Sequence, residues 1–92
     1  MEYVTSAQVA QLQSEGKKLL VQYTANWCSP CKALTPRLAL LSSGYPDVTF
    51  VKVDVDENQD AVMELEINTV PTIMIYNGDT LISKSLGAKI DS

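Results

Sequence analysis

Residues 19–41, which read LLVQYTANWCSPCKALTPRLALL, decide the fold. Residues 19–25 are rich in apolar and aromatic side chains and too short for a helix, so they predict a buried strand. Leucines at positions 34, 38 and 41 then recur at i, i+4 and i+7, which predicts an amphipathic helix from residue 28 to about residue 43. The chain's two cysteines, Cys28 and Cys31, therefore lie in the first turn of a helix that directly follows a strand.

The remainder of the chain supplies the other elements of an α/β domain. Thr5 and Gln8 form a capping-box pattern, and a first helix is predicted from there until Gly16. A strand, a helix and two more strands are predicted over residues 48–55, 56–65, 71–76 and 80–86. The last two strands are joined at Asn77-Gly78-Asp79, a strong hairpin signal. The first residues of the chain are predicted to be extended, so the order of elements is β-α-β-α-β-α-β-β. The strands that helices connect are expected to be parallel, and the hairpin at the end is antiparallel.

Composition limits the kinds of function that the chain can have. Ninety-two residues suggest a single domain, residues 1–92. The net charge is −4 and Lys17 and Lys18 are the densest basic pair, so no nucleic-acid binding is expected. The lack of His excludes Ser/His/Asp catalysis and His-ligated zinc. No apolar run is long enough for a membrane span and no secretory signal pattern is present, so we expect a cytoplasmic protein.

Cys28 and Cys31 are the candidate reactive groups. A bridge across this spacing closes a tiny loop and stabilises little, which favours a chemical purpose. At a helix N-terminus, unpaired N–H groups and the helix dipole favour the thiolate, the form that attacks disulfides. Cys31 lies one helical turn away, close enough to attack a mixed disulfide formed at Cys28. A metal site shared between two chains and a pair of inert buried thiols are the alternatives that these residues leave open.

Several segments of this sequence resemble segments of the thioredoxin family. They follow one another in the same order as in the family and at close to the family's spacing. They are NWCSPCK at 26–32 with Pro36, FVKVDVD at 50–56, VPT at 70–72, NG at 77–78 and LGA at 86–88. The resemblance covers nearly the whole chain and implies a thioredoxin fold, in which Pro71 follows a cis peptide bond and lies against the cysteine pair. It also implies a surface that receives an extended substrate segment, made of Trp27, Pro30, Val70, Pro71 and Gly87.

The resemblance further implies a dithiol–disulfide oxidoreductase that reduces disulfides in protein substrates. Cys28 is then the nucleophile and Cys31 the resolving cysteine. Electrons are expected from NADPH through a flavin-dependent thioredoxin reductase, while the chain itself binds no cofactor and no metal. Two other functions remain open: an oxidant or isomerase of the disulfide-isomerase type, and a module whose thioredoxin surface only binds a partner.

One departure from the family pattern lies behind the cysteines. Gln22 stands where thioredoxins usually carry a buried Asp, and an amide cannot take a proton from the resolving thiol as a carboxylate can. We expect slower resolution of mixed disulfides, or proton transfer through water held by Gln22. The usual partner of that Asp is a Lys, present here as Lys52. Without the carboxylate, Lys52 is expected either to reach solvent or to act as a positive charge that favours the thiolates.

A second departure lies at the end of the sequence. The family closes with an amphipathic helix after the last strand, whereas only residues 88–92 follow Gly87 here. One face of the sheet is therefore expected to be covered by the cysteine-bearing helix alone. Exposed apolar surface of this kind commonly indicates a binding partner, a swapped segment or a shortened chain. We expect two copies of the chain to form a dimer through this face.

Overall fold

Helices and strands alternate along the chain and end in a hairpin, in a computed structural model that describes residues 1–86. Five strands are present in this range: β1 Glu2–Tyr3, β2 Lys18–Thr24, β3 Val48–Asp54, β4 Thr72–Asn77 and β5 Thr80–Leu86. Its three α-helices are α1 Ser6–Ser14, α2 Ser29–Ser42 and α3 Gln59–Glu64. The predicted capping box is confirmed, because Thr5 and Gln8 bond reciprocally at the start of α1.

The one helix that differs clearly from its prediction is the helix expected over residues 56–65. The chain instead forms a 3-10 turn, Val55–Glu57, before the six-residue α3. The carboxylate of Asp54 accepts a hydrogen bond from the backbone N–H of Asp56 at 2.8 Å, which favours the tight turn. Asn58 then adopts φ −136° and ψ 48°, which no helix allows. The two pieces are therefore separate.

The five strands form one mixed sheet in the order β1-β3-β2-β4-β5. The first three strands are mutually parallel, while β4 runs antiparallel to β2 and β5 antiparallel to β4. The parallel direction predicted for helix-linked strands is therefore wrong for β4. The six residues of α3 span about 9 Å, whereas the seven residues of β3 extend over about 23 Å. α3 by itself does not return the chain along the sheet, and β4 starts at the edge where β3 ends, since Thr72 pairs with Tyr23 and Asp54 with Thr24.

Alternate side chains of β2 enter two different cores, one on each face of the sheet. Leu19, Val21 and Tyr23 pack with α1 and α3 on one face. On the other face, Leu20 packs with Ile73 and with two buried leucines of α2, Leu34 and Leu38. Within residues 1–86, α2 is the helix that covers this second face. An apolar groove beside α2 is lined by Leu20, Leu41, Tyr45, Val48, Phe50 and Ile75. None of the helices described is long and apolar enough to cross a membrane.

Candidate active site

The cysteine pair lies where β2, the central strand of the sheet, leads into α2. Cys28 is the N-cap residue of α2, with extended backbone angles, and Pro30 lies in the first turn. Proline is tolerated there because the first N–H groups of a helix have no partner within the helix. The backbone N–H of Cys31 donates to Cys28 Sγ, with the nitrogen and sulfur 3.2 Å apart. The helix N-terminus therefore presents a hydrogen-bond donor to the first cysteine, as the sequence predicts.

Cys28 and Cys31 form a disulfide with their Cα atoms 5.3 Å apart. Both are buried, although Cys28 keeps 4% of its surface exposed against 1% for Cys31. They pack with Ala25, and the half-buried side chains of Val55 and Val70 lie against this cluster. The structure thus describes the oxidised pair, with the first cysteine nearer to solvent.

The other predicted site residues divide into those at the surface and those in the core. Trp27 is 68% exposed, and its indole Nε1 donates to the carboxylate of Asp56 at 2.9 Å. Pro30 is exposed, whereas Pro71 is buried and follows a cis peptide bond from Val70. Gly87 lies outside the described residues. Val70 lies against the cysteine cluster, whereas the Trp27 side chain bonds the turn after β3.

Gln22 belongs to a polar cluster behind the disulfide, and the sequence did not indicate its partner Thr35. Gln22 is fully buried on the α2 face of β2, and its Nε2 donates to the carbonyl oxygen of Cys31 at 3.3 Å. The hydroxyl of Thr35 lies 3.0 Å from Gln22 Oε1 and 3.0 Å from the Cys31 carbonyl oxygen. One signal could have located Thr35: it follows Cys31 by four positions and so lies one helical turn further along α2.

Lys52 is the register partner of Gln22 on the neighbouring strand β3. Its ammonium lies 4.0 Å from the centroid of the Tyr3 ring on β1, a cation–π contact. The side chain is half-buried and therefore partly exposed to solvent. The structure thus directs the lysine charge toward an aromatic ring on the outermost strand.

Two buried tyrosines, on the face of the sheet opposite α2, have shifted pKa values. Burial raises the pKa of Tyr23, and the neighbouring Tyr76 raises it further. Burial also raises the pKa of Tyr76, although the neighbouring Tyr23 hydroxyl acts in the other direction. Both phenols therefore remain protonated at neutral pH. Residues 1–86 contain no group of three or more His, Cys, Asp or Glu side chains that could hold a metal ion.

A mixed sheet with a disulfide-forming Cys-Ser-Pro-Cys segment between its central strand and a helix defines a thiol–disulfide protein of thioredoxin fold. The family model for thioredoxin matches residues 2–92, and the chain belongs to the thioredoxin family. The family and the Cys28–Cys31 disulfide together support a thiol–disulfide oxidoreductase. The family resemblance and the fold predicted from the sequence are thus confirmed.

Similar proteins that are themselves thioredoxins support this family assignment. The chain is 43% identical over 77 residues to "Thioredoxin-3, mitochondrial" of Saccharomyces cerevisiae, covering 84% of this chain and 61% of the relative. It is 39% identical over 88 residues to the thioredoxin of Mycoplasmoides gallisepticum, covering 95% of this chain and 88% of the relative. The chain therefore spans only about three fifths of the length of the yeast protein.

Solved structures show the same fold. The oxidised form of mitochondrial thioredoxin 3 from Saccharomyces cerevisiae matches with a TM-score of 0.86 and 37% identity, over 97% of this chain and 84% of that one. The thioredoxin of Fasciola hepatica matches with a TM-score of 0.86 and 30% identity, over 96% of this chain and 86% of that one.

Proposed function

We propose that this protein reduces disulfide bonds in protein substrates by dithiol–disulfide exchange. One observation carries the proposal: Cys28 is the N-cap of α2 and its sulfur accepts the backbone N–H of Cys31 at 3.2 Å. The same N–H and the dipole of a 14-residue helix favour a negative charge on that sulfur once the disulfide is reduced. Cys28 is accordingly the nucleophile.

The reaction has two exchange steps. The Cys28 thiolate attacks one sulfur of the substrate disulfide; a mixed disulfide forms, and the other substrate sulfur leaves as a thiolate that takes up a proton. Cys31 then loses its proton and attacks Cys28 Sγ, which breaks the mixed disulfide and releases the second substrate thiol. Two electrons have passed to the substrate. The Cys28–Cys31 disulfide that remains is the state of the pair in the structure.

Different exposure supports the different roles of the two cysteines. Cys28 has the larger exposed fraction and precedes the exposed Ser29 and Pro30, so an incoming sulfur can approach it. Cys31 is 1% exposed and its carbonyl faces Gln22 in the interior. A buried thiol that cannot meet a substrate directly is suited to the resolving step.

The substrate segment lies across the surface around Cys28. We assign this surface to Trp27, Pro30, Val70 and Gly87, and include Pro71 although its side chain is buried in the structure. The contact of Val70 with the cysteine cluster and the exposed indole of Trp27 support it. An extended segment lying between them would bring its disulfide to Cys28.

The resolving step depends on the polar groups behind the disulfide. Gln22 cannot hold the proton that Cys31 releases, because an amide is not a base at neutral pH. The proton therefore passes to water rather than to a side chain at this position, and the step is slower than with a carboxylate. The Lys52 ammonium lies over the Tyr3 ring on the outermost strand, so we assign the charge that favours the thiolate to the N-terminus of α2 and not to Lys52.

The remaining assignments concern partners and location. Electrons come from NADPH through a flavin-dependent thioredoxin reductase, and the protein itself carries electrons only in its cysteine pair. A dithiol reductant works in a reducing compartment, which supports the cytoplasm, although the yeast relative is named as mitochondrial. The apolar groove beside α2 supports a dimer through that face of the sheet.

The test is reduction of insulin with NADPH and thioredoxin reductase, followed as NADPH oxidation. The wild-type protein is expected to turn over, and Cys28→Ser to be inactive. Cys31→Ser, the matched variant, is expected to accumulate a mixed disulfide with the substrate that mass spectrometry detects. Failure of the wild-type protein to reduce insulin would contradict the proposal. A redox titration that finds a pair as oxidising as that of disulfide isomerases would favour an oxidant instead.

A further inference from the structure

The carbonyl oxygen of Cys31 is the meeting point of two side chains from different elements. Gln22 on β2 donates to it through Nε2 at 3.3 Å, and the hydroxyl of Thr35 on α2 lies 3.0 Å away. The same hydroxyl lies 3.0 Å from Gln22 Oε1. These three groups form a closed polar cluster directly behind the resolving cysteine. Gln22 is fully buried, so bulk water does not reach its amide, while Thr35 is half-buried.

Hydrogen-bond accounting decides how Gln22 is oriented. A flipped amide would turn Oε1 toward the carbonyl oxygen of Cys31, and two acceptors would then face each other. With Nε2 facing that carbonyl, Oε1 needs a donor, and the hydroxyl of Thr35 supplies one. Removal of this hydroxyl leaves a buried amide oxygen without its donor, which is the costly case for a polar group.

The hydroxyl of Thr35 has one hydrogen and two acceptors at equal distance. When it donates to Oε1, it holds the Gln22 amide against the backbone of Cys31. When it turns to the Cys31 carbonyl, Oε1 is released and can accept from another donor. The hydroxyl can therefore serve either acceptor of the cluster, but only one at a time.

We infer that Thr35 is a positioning residue for the resolving step and acts through Gln22. The hydroxyl fixes the amide that holds the Cys31 backbone, and so keeps Cys31 Sγ aligned for its attack on Cys28 Sγ. In that step the Cys31 thiol gives its proton to solvent, the sulfur–sulfur bond between Cys28 and Cys31 forms, and the bond between Cys28 and the substrate breaks. The leaving substrate thiolate takes up a proton. This inference rests on the proposed function.

The two exchange steps separate this role from a general effect on folding. The first step uses Cys28, whose sulfur accepts from the Cys31 N–H, whereas Gln22 and Thr35 bond the Cys31 carbonyl oxygen. Thr35→Val keeps the shape of the side chain and removes the hydroxyl. It is expected to slow the decay of the mixed disulfide about fivefold, the factor that loss of one hydrogen bond produces. Formation of the mixed disulfide is expected to keep its wild-type rate.

The experiment is a single turnover of the reduced protein with a disulfide-linked peptide, quenched with acid and analysed by mass spectrometry. Thr35→Ser, which restores the hydroxyl, is expected to recover the wild-type decay rate. In a Gln22→Met background, Thr35→Val is expected to cause no further slowing, because the group through which Thr35 acts is already absent. Should Thr35→Val fail to fold, Thr35→Ala carries the same expectations.

Three results would overturn the inference: a wild-type decay rate in Thr35→Val, equal slowing of both steps, or the same fivefold slowing by Thr35→Val in the Gln22→Met background. Wild-type protein that forms no mixed disulfide would contradict the proposed function, and the inference with it. If the wild-type protein turns over normally and Thr35→Val shows the same rates, the inference is overturned while the proposed function stands.

Discussion

Trp27 Nε1 donates a hydrogen bond to the carboxylate of Asp56 at 2.9 Å, although the two residues lie 29 positions apart in the sequence. Trp27 precedes the first cysteine, and Asp56 lies in the 3-10 turn after β3. The bond orients an indole that is 68% exposed and belongs to the residue directly before Cys28. A surface aromatic that is fixed in this way loses less conformational entropy when a substrate packs against it.

Loss of this bond should weaken substrate binding. Asp56→Ala is expected to raise the KM for insulin about threefold with little change in kcat, since freeing one side chain costs about 0.5–1 kcal/mol. Trp27 is the only tryptophan of the chain, so its fluorescence anisotropy should fall in the same variant. Glu57→Ala removes a neighbouring exposed carboxylate and is the control. An effect of the same size in Glu57→Ala would assign the change to charge rather than to the indole bond.

A carboxylate in place of Gln22 should accelerate the resolving step. Gln22→Asp provides a base that can take the proton of Cys31, and the decay of the mixed disulfide near neutral pH is expected to rise about tenfold. Gln22→Asn keeps a neutral amide of the same length as Asp and is the matched control. The measurement is the single-turnover decay of the mixed disulfide. No gain for Gln22→Asp over Gln22→Asn would contradict the role assigned to this position.

The second core should depend on Leu38. This side chain is fully buried between α2 and the sheet, so Leu38→Ala is expected to lower the free energy of unfolding by about 3 kcal/mol. Leu40, two positions along the same helix, is 77% exposed, and Leu40→Ala should change the stability by less than about 0.5 kcal/mol. Urea unfolding of both variants measures the difference. Equal losses would mean that the face covered by α2 is not a packed core.

Stability should fall in alkaline solution because of Tyr23. Its pKa in the folded protein is raised above the ordinary value of 10.0, so the unfolded chain loses this proton at lower pH than the folded one. The folded state then binds more protons, and the free energy of unfolding decreases as the pH rises above about 10. Tyr23→Phe is expected to make the free energy of unfolding fall less steeply with pH. Urea unfolding at several pH values from about 9 to about 11, around the ordinary tyrosine pKa of about 10, measures this dependence.

The matched control for that series is Tyr45→Phe, which removes a phenol hydroxyl from an exposed residue. It tests whether loss of a hydroxyl at the surface alters stability at neutral pH. An alkaline slope in Tyr23→Phe equal to that of the wild-type protein would show that Tyr23 does not contribute.

Local sequence signals were sufficient to predict strand β2, helix α2 and the cysteine pair at the junction between them. The capping box of Thr5 and Gln8 and the position of Cys28 at the start of α2 depend on residues three or four positions apart. The hairpin of β4 and β5 follows from a two-residue turn at Gly78 and Asp79. Interactions at such short separation are set by backbone geometry and hardly depend on the rest of the fold.

Three features could not be predicted in this way, because they join distant parts of the chain. The direction of β4 depends on how far α3 can carry the chain along the sheet. The place of the Lys52 ammonium depends on β1 pairing beside β3, which brings Tyr3 within reach. The hydrogen bond between Thr35 and Gln22 requires α2 to lie across β2.

The sequence by itself determined the chemistry of this protein: two cysteines at the start of a helix, with an amide where a carboxylate is usual. Only the tertiary structure decided what surrounds that chemistry. Packing of α2 on β2 brings Thr35 to the amide, and the turn after β3 brings Asp56 to the indole of Trp27. The physical reason is that reactivity at a helix N-terminus arises within one turn, whereas hydrogen-bond partners are selected by the packing of whole elements.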